Sequence, residues 1–456
     1  METIRIGNAS AFWGDSNDAP ARLVEQAPDL DYLTLDYLAE VSMSILAKQR
    51  ERDMAAGYAR DFVGVVGSLA RFWKDRRKLR VVTNAGGLNP AGCAEACAQI
   101  LRNAGCRNLR IGIVGGDDVL PEIRGALTGD PHTREFAHME SGSPIETISE
   151  SLVTANAYIG AAPMVDAIQK GADLIISGRV ADPSLTVAPC VAHFGWKADN
   201  FQRIAGATVA GHLIECGTQV TGGISTDWLD LDIRNIGYPI VEVFADGSCV
   251  VTKPRNTGGR VSEQSVKEQL VYELGDPSRY LSPDAAVSFL TLNVEDQGRD
   301  RVRVSGATGS PPPEQYKLSA TYRAGYRAAG TLTIVGRDAV AKARRCGQMV
   351  LERLRAAGSE PQRYHIECLG SGDAIGQVAQ TDSAGLLETV LRISVFDPRK
   401  EIVERFTREI APLVTSGPQG TTGYAEGRPP VREVFGYWPT LIPRSKVKPQ
   451  VQLIEV

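Results

Sequence analysis

Five short apolar runs, each opening into a polar or glycine-bearing loop and separated by helical periods, constrain this chain more than any other feature. Ile4–Ile6 leads into Asn8-Ala9-Ser10-Ala11-Phe12-Trp13-Gly14-Asp15-Ser16, and Asp31–Leu35 leads into Asp36. Leu79–Val82 leads into Thr83-Asn84-Ala85-Gly86-Gly87, Leu109–Val114 into Gly115-Gly116-Asp117-Asp118, and Ala172–Ile176 into Ser177-Gly178-Arg179-Val180-Ala181-Asp182. Helical periods such as Pro90–Ala104 and Ala157–Lys170 fill the gaps. Alternation of this kind predicts an α/β fold with a mostly parallel sheet flanked by helices. After about residue 285 the pattern changes to alternating apolar and polar residues, at Val287–Val294, Arg301–Ser305 and Tyr316–Val335, as half-buried antiparallel strands require. A helix over Arg337–Ala357 follows, then strands near 362–368, 388–395 and 431–437 around a helix at 398–414. Residues 286–456 are therefore expected to form a smaller α+β domain, antiparallel and ferredoxin-like in element order, after an α/β domain of residues 1–285. The polar stretch 119–150, holding His132 and His138, is expected to be a lid or insertion.

Composition narrows the function. The 456 residues carry 50 basic and 54 acidic side chains, a formal charge of -4. That balance argues against a nucleic-acid or membrane-surface partner. No apolar run reaches the ~18 residues of a spanning helix, and the first residues carry no secretory leader pattern. Eight dispersed cysteines fit reduced thiols, so a cytoplasmic location is expected. No phosphate loop and no dinucleotide fingerprint is present, so neither nucleotide nor nicotinamide is expected; with no redox fingerprint, flavin is not expected either. Five histidines are too few for a histidine-built metal centre, which leaves an oxygen-ligand divalent site from Asp117, Asp118 and Asp182 as the metal alternative.

Ligands of parallel α/β sheets bind beyond the carboxyl ends of the strands, where Asp36, Asn84, Asp117, Asp118, Arg179 and Asp182 fall. Glycine is enriched, 46 of 456 residues or about 10% against a usual ~7%. Four double glycines (86–87, 115–116, 222–223 and 258–259) permit close backbone approach to a ligand, and equally tight turns alone. Gly86, Gly87, Gly115 and Gly116 at strand exits suit an anionic group, with Arg179 as a bidentate clamp and Lys253 in Thr252-Lys253-Pro254-Arg255 as a further cation. In Gly211-His212-Leu213-Ile214-Glu215-Cys216-Gly217, helical spacing places His212, Glu215 and Cys216 on one face. His212 with Glu215 forms a candidate acid–base pair, and Cys216 a candidate nucleophile. The competing reading is a packed helix with a satisfied core histidine.

Several of these segments, in this order, resemble the acyclic terpene utilisation AtuA family. They are Ala11–Ser16, Leu35–Glu40, Thr83–Pro90, Gly116–Asp118, Asn156-Ala157-Tyr158-Ile159-Gly160, Ser177–Leu185, His212–Gly217 and Thr252–Pro254, covering most of residues 3–360. The resemblance implies a catabolic protein near branched carboxylate or acyl-CoA chemistry. Three functions are carried forward. The first is a hydratase or other lyase with Glu215 or Asp36 as base and His212 as acid. The second is a thioester hydrolase built on Cys216, and the third a non-catalytic subunit of a partner enzyme. A small-molecule carboxylate or acyl-CoA is the expected ligand, and a homo-oligomer is expected.

Overall fold

The computed structural model describes residues 2–39, 41–75, 78–378, 383, 385–424 and 427–456. Met1, and Glu40 of the quoted Leu35–Glu40 segment, lie outside them. The strands are β1 (Thr3–Asn8), β2 (Tyr32–Leu35), β3 (Arg80–Thr83), β4 (Arg110–Gly115), β5 (Leu152–Ala157), β6 (Leu174–Ser177), β7 (Ile240–Phe244), β8 (Cys249–Thr252), β9 (Tyr280–Leu281), β10 (Ala286–Ser288), β11 (Asn293–Asp296), β12 (Val302–Ser305), β13 (Thr308–Ser310), β14 (Gln315–Val335), β15 (Arg363–Leu369), β16 (Glu388–Asp397), β17 (Thr421–Thr422), β18 (Arg432–Pro443) and β19 (Gln450–Glu455). The helices are α1 (Ala19–Gln26), α2 (Ser42–Arg52), α3 (Arg60–Lys74), α4 (Pro90–Asn103), α5 (Leu120–Gly129), α6 (Ala162–Gln169), α7 (Ser184–Phe194), α8 (Phe201–Glu215), α9 (Glu263–Val271), α10 (Ala339–Ala356), α11 (Lys400–Thr407) and α12 (Leu413–Ser416).

Two compact units emerge, residues 1–321 with 437–456, and residues 322–436. The change of pattern near residue 285 falls inside the first unit, because β11 and β12 extend that unit's own sheet. This sheet has ten strands in the order β11-β12-β8-β7-β1-β2-β3-β6-β4-β19. Its centre, β1-β2-β3-β6-β4, is parallel. Those strands are the five apolar runs, and Ile6, Leu33, Val82, Val114 and Ile175 are fully buried in them, as strands covered on both faces demand. Both flanks pair antiparallel, β7, β8, β12 and β11 on one side and β19 on the other. The sheet is therefore mixed rather than mostly parallel. The flanking strands join through turns or arrive from distant sequence, so the β–helix–β rhythm does not announce them.

The chain leaves β3, passes over one position to form β4, and returns to insert β6 between the two. The carboxyl ends of β3, β6 and β4 thereby meet, which is the place where α/β sheets hold ligands. Local chemistry starts the helices. Asn89 accepts a hydrogen bond from Gly92 N at 2.9 Å with Pro90 in the first turn of α4, and Ser262 forms a capping box with Ser265 at α9. A three-stranded sheet β13-β10-β9 completes the smaller elements. The 119–150 stretch is partly regular, since α5 occupies its first third.

In the second unit the sheet order is β15-β16-β14-β17, every junction antiparallel, with α10 after β14 and α11 after β16. That is a β-α-β-β-α-β element order of the ferredoxin-like type. Leu332, Ile334, Val350, Leu354, Ile393 and Phe406 form its core.

Candidate functional site

Two layers of polar groups lie at the carboxyl edge of the parallel strands. The deeper one is closed. Asp36, after β2, is buried and accepts from Asn84 Nδ2 at 2.7 Å and from Leu38 N at 3.2 Å. Asn84, after β3, also accepts from Tyr37 N at 2.7 Å. Asp117, after β4, accepts on Oδ2 from Asn156 Nδ2 at 2.8 Å and from Arg179 N at 2.9 Å. Burial raises both carboxyls against the pull of these donors, Asp117 to about 6. Gly178 is what lets Asp117 come so near: a Cβ there would stand 2.2 Å from Asp117 Oδ1.

Arg179 is only 2% exposed. It donates through Nη1 to Leu38 O and through Nη2 to Asp182 Oδ1 at 2.8 Å, and its guanidinium lies 4.2 Å from the centre of the Tyr158 ring. A guanidinium so enclosed ties strand exits together, and it does not line the cavity. Asp36, likewise enclosed, does not line the cavity, so the structure does not place it as a catalytic base.

The outer layer is a cavity of about 630 Å³. The carboxyl end of α8 supplies His212 and Glu215 to its wall. Gly206 and Gly211 let this helix pack tightly, since a Cβ would meet Gly247 O at 2.0 Å and Pro183 O at 2.7 Å respectively. Asn8 caps the helix end, donating to the carbonyls of Ile214 (2.5 Å) and Glu215 (3.0 Å). Gln269 Nε2 donates to His212 O at 3.1 Å. His212 and Glu215, one turn apart, meet through Nδ1 and Oε1 at 3.0 Å. Their other atoms, His212 Nε2 and Glu215 Oε2, are buried and have no hydrogen-bond partner. The imidazole packs against Tyr280 and Phe289. Burial favours its neutral form, but the hydrogen bond and charge of Glu215, helped by carbonyls of α9, outweigh that and raise its pKa.

Cys216 shares the helix end but not the cavity wall. Burial first, and the Glu215 charge second, push its thiol up to about 12. A nucleophilic cysteine needs the opposite shift. Asp182 reaches the cavity and accepts from Arg179. Asp118 instead accepts from Leu120 N at 3.1 Å and opens α5. Asp117 and Asp182 both meet Arg179, through its backbone N and its guanidinium respectively, while Asp118 meets Leu120 N, and no cluster of three metal-ligating His, Cys, Asp or Glu groups occurs among the described residues. Lys253 is buried elsewhere, donating to Thr257 O at 2.9 Å and paired with Asp300 at 3.2 Å.

All of the double glycines but Gly115 sit in close packing. A Cβ at Gly86 would meet Ser177 O at 2.6 Å, and one at Gly116 would meet Lys448 O at 2.2 Å. Gly87, Gly222 and Gly259 have positive φ. Gly115 has open space around it but does not line the cavity. Residues not anticipated from the sequence complete the wall: Tyr158, Glu273, Arg279, Tyr280 and Lys317. Tyr158 follows β5, a strand that the sequence rhythm hides. Lys317, at the start of β14, carries its ammonium 4.8 Å from the Tyr158 ring.

Fold and site together define an α/β protein with a closed polar layer at its strand ends and a hydrogen-bonded histidine–glutamate pair at an adjoining cavity. A family model described as acyclic terpene utilisation family protein AtuA matches residues 4–453, and the chain belongs to this family. The match takes in the C-terminal hundred residues as well as the segments that carry the resemblance. No curated protein matches the chain.

Proposed function

We propose that the protein is a cytoplasmic catabolic enzyme of acyclic terpene or related degradation. It adds water to, or removes it from, a branched α,β-unsaturated carboxylate or acyl-CoA thioester. One observation carries the reading: the paired His212 and Glu215 satisfy each other through one atom apiece and leave Nε2 and Oε2 buried beside the cavity without partners. In hydration, Glu215 takes a proton from water as the water oxygen bonds to the β-carbon. The α-carbon takes a proton from His212 Nε2, and elimination is the reverse. Arg279 and Lys317 on the wall suit the carboxylate or thioester end. Eight free cysteines fit a reducing compartment. The test is incubation with branched 2-enoic acids and their CoA thioesters in isotope-labelled water, with mass spectrometry of the product. Glu215→Gln and His212→Asn are each expected to slow turnover by about 10²-fold or more. Wild-type turnover in either folded variant would overturn the reading.

A further inference from the structure

A second cavity of about 460 Å³ adjoins the first, and Met139, Gln315 and Leu441 line both. Its chemistry differs. Four carboxylates, Asp182, Glu215, Glu273 and Glu314, and the cations Arg279 and Lys317 line the first cavity. The second carries the polar Arg134, Glu135, His138, Gln315 and Thr440, of which Glu135 and His138 are engaged. Glu135 pairs with Lys446 at 2.6 Å, and His138 Nδ1 accepts from Glu140 N and Ser141 N at 3.2 and 3.3 Å. The His138 ring sits edge-on to Trp438, ring centres 4.9 Å apart, and Trp438 Nε1 donates to Phe136 O at 3.0 Å. The apolar part of the lining is Phe136, Ala137, Pro443 and, at the shared neck, Met139 (53% exposed) and Leu441 (37% exposed), with the exposed Arg134 beside it. The loop carrying Phe136–Met139 is held to β18 by Met139 N donating to Pro439 O at 2.9 Å, so this wall is built rather than draped.

We infer that the second cavity is a tail subsite. It receives the hydrocarbon chain of an elongated acyl substrate whose carboxyl or thioester end lies by His212 and Glu215. The inference rests on the acid–base reading for the orientation of the ligand, and the substrate class it names is a long-chain rather than a short branched acyl group. Each methylene moved from water into such a wall strengthens binding by about fourfold.

The experiment is calorimetric titration of the whole protein with a homologous series of 2-enoic acids, in wild type, Ala137→Trp, Leu441→Trp and His212→Asn. Ala137 lines only the second cavity and is half-buried, and Leu441 stands at the neck, so the two tryptophans fill the subsite from independent positions. Wild type and His212→Asn are expected to gain about fourfold per methylene into the long members. In both tryptophan variants the gain should stop at the chain length that fills the first cavity. The inference is overturned if the wild-type gain stops at that same length, if both folded tryptophan variants keep the wild-type slope, or if no acid of the series binds. Failure of the acid–base reading looks different: the slope break would persist while His212→Asn kept wild-type turnover.

Discussion

Replacing Gly178 by alanine isolates the contact that lets the deep polar layer close. The residue does not have positive φ, so alanine is conformationally allowed and the cost is one of contact. The three atoms nearest the added methyl all belong to Asp117, at 2.2, 2.7 and 2.8 Å. Asp117 has little freedom to retreat, because Asn156 Nδ2 and Arg179 N hold its Oδ2. Overpacking costs about 1–3 kcal/mol, and weakening the two hydrogen bonds to a charged acceptor, each worth about 1.5–3 kcal/mol intact, adds the equivalent of about one of them. We expect a loss of about 3–5 kcal/mol, a large part of a typical 5–15 kcal/mol stability. Urea unfolding of wild type, Gly178→Ala, Asp117→Ala and the double variant measures it as a cycle. In the Asp117→Ala background, alanine at 178 should cost about 1 kcal/mol or less, because the atoms it collides with are gone. A single-variant cost that small, or a cost unchanged by removing Asp117, would refute the argument.

The remaining expectations concern charge and reactivity. Burial raises the Asp117 carboxyl from 3.8 to about 6, so the folded state binds this proton more tightly than the unfolded chain does. Its contribution to stability is therefore full below about pH 4 and lost as pH rises to about 6, a change of about 3 kcal/mol, after which it is level. Asp117→Asn should flatten that segment of the stability–pH curve measured by urea unfolding; an unchanged curve would contradict the buried-carboxyl account. Cys216→Ser is expected to retain turnover within about threefold, since a thiol raised to about 12 supplies almost no thiolate near neutral pH. Loss of activity in a folded Cys216→Ser protein would return the cysteine to the mechanism.

The sequence was most legible where burial leaves a one-dimensional trace. The five central strands are apolar on both faces, so each reads as a run, and the exits after β2, β3, β4 and β6 follow from where the runs stop. The flanking strands β7 and β8 leave no such rhythm, because they are joined by a turn and pair antiparallel. The pair on α8 was legible for a different reason. Three-residue spacing on a helix forces His212 and Glu215 onto one face, whatever surrounds them. The cavity's other walls are not legible in this way, since Tyr280 and Lys317 reach it from segments distant in sequence.

Glycine and arginine show where a local reading stops. A double glycine reports that something approaches the backbone closely, and the approaching group proves to be other backbone at Gly86 and Gly116. A cation after a strand reports an anion or carbonyl nearby, but not whether water or substrate can reach it. Arg179 meets Leu38 O and Asp182 inside the protein, an enclosure that its position in the sequence does not announce. Asp182 is the link between layers, because it holds Arg179 on one side and borders the cavity on the other. The deep layer therefore sets the position of a carboxylate in the cavity wall, with Gly178 and Asp117 fixing the backbone of Arg179 beneath it. On this argument the Ser177-Gly178-Arg179 exit belongs to the site through what it positions rather than through what it touches.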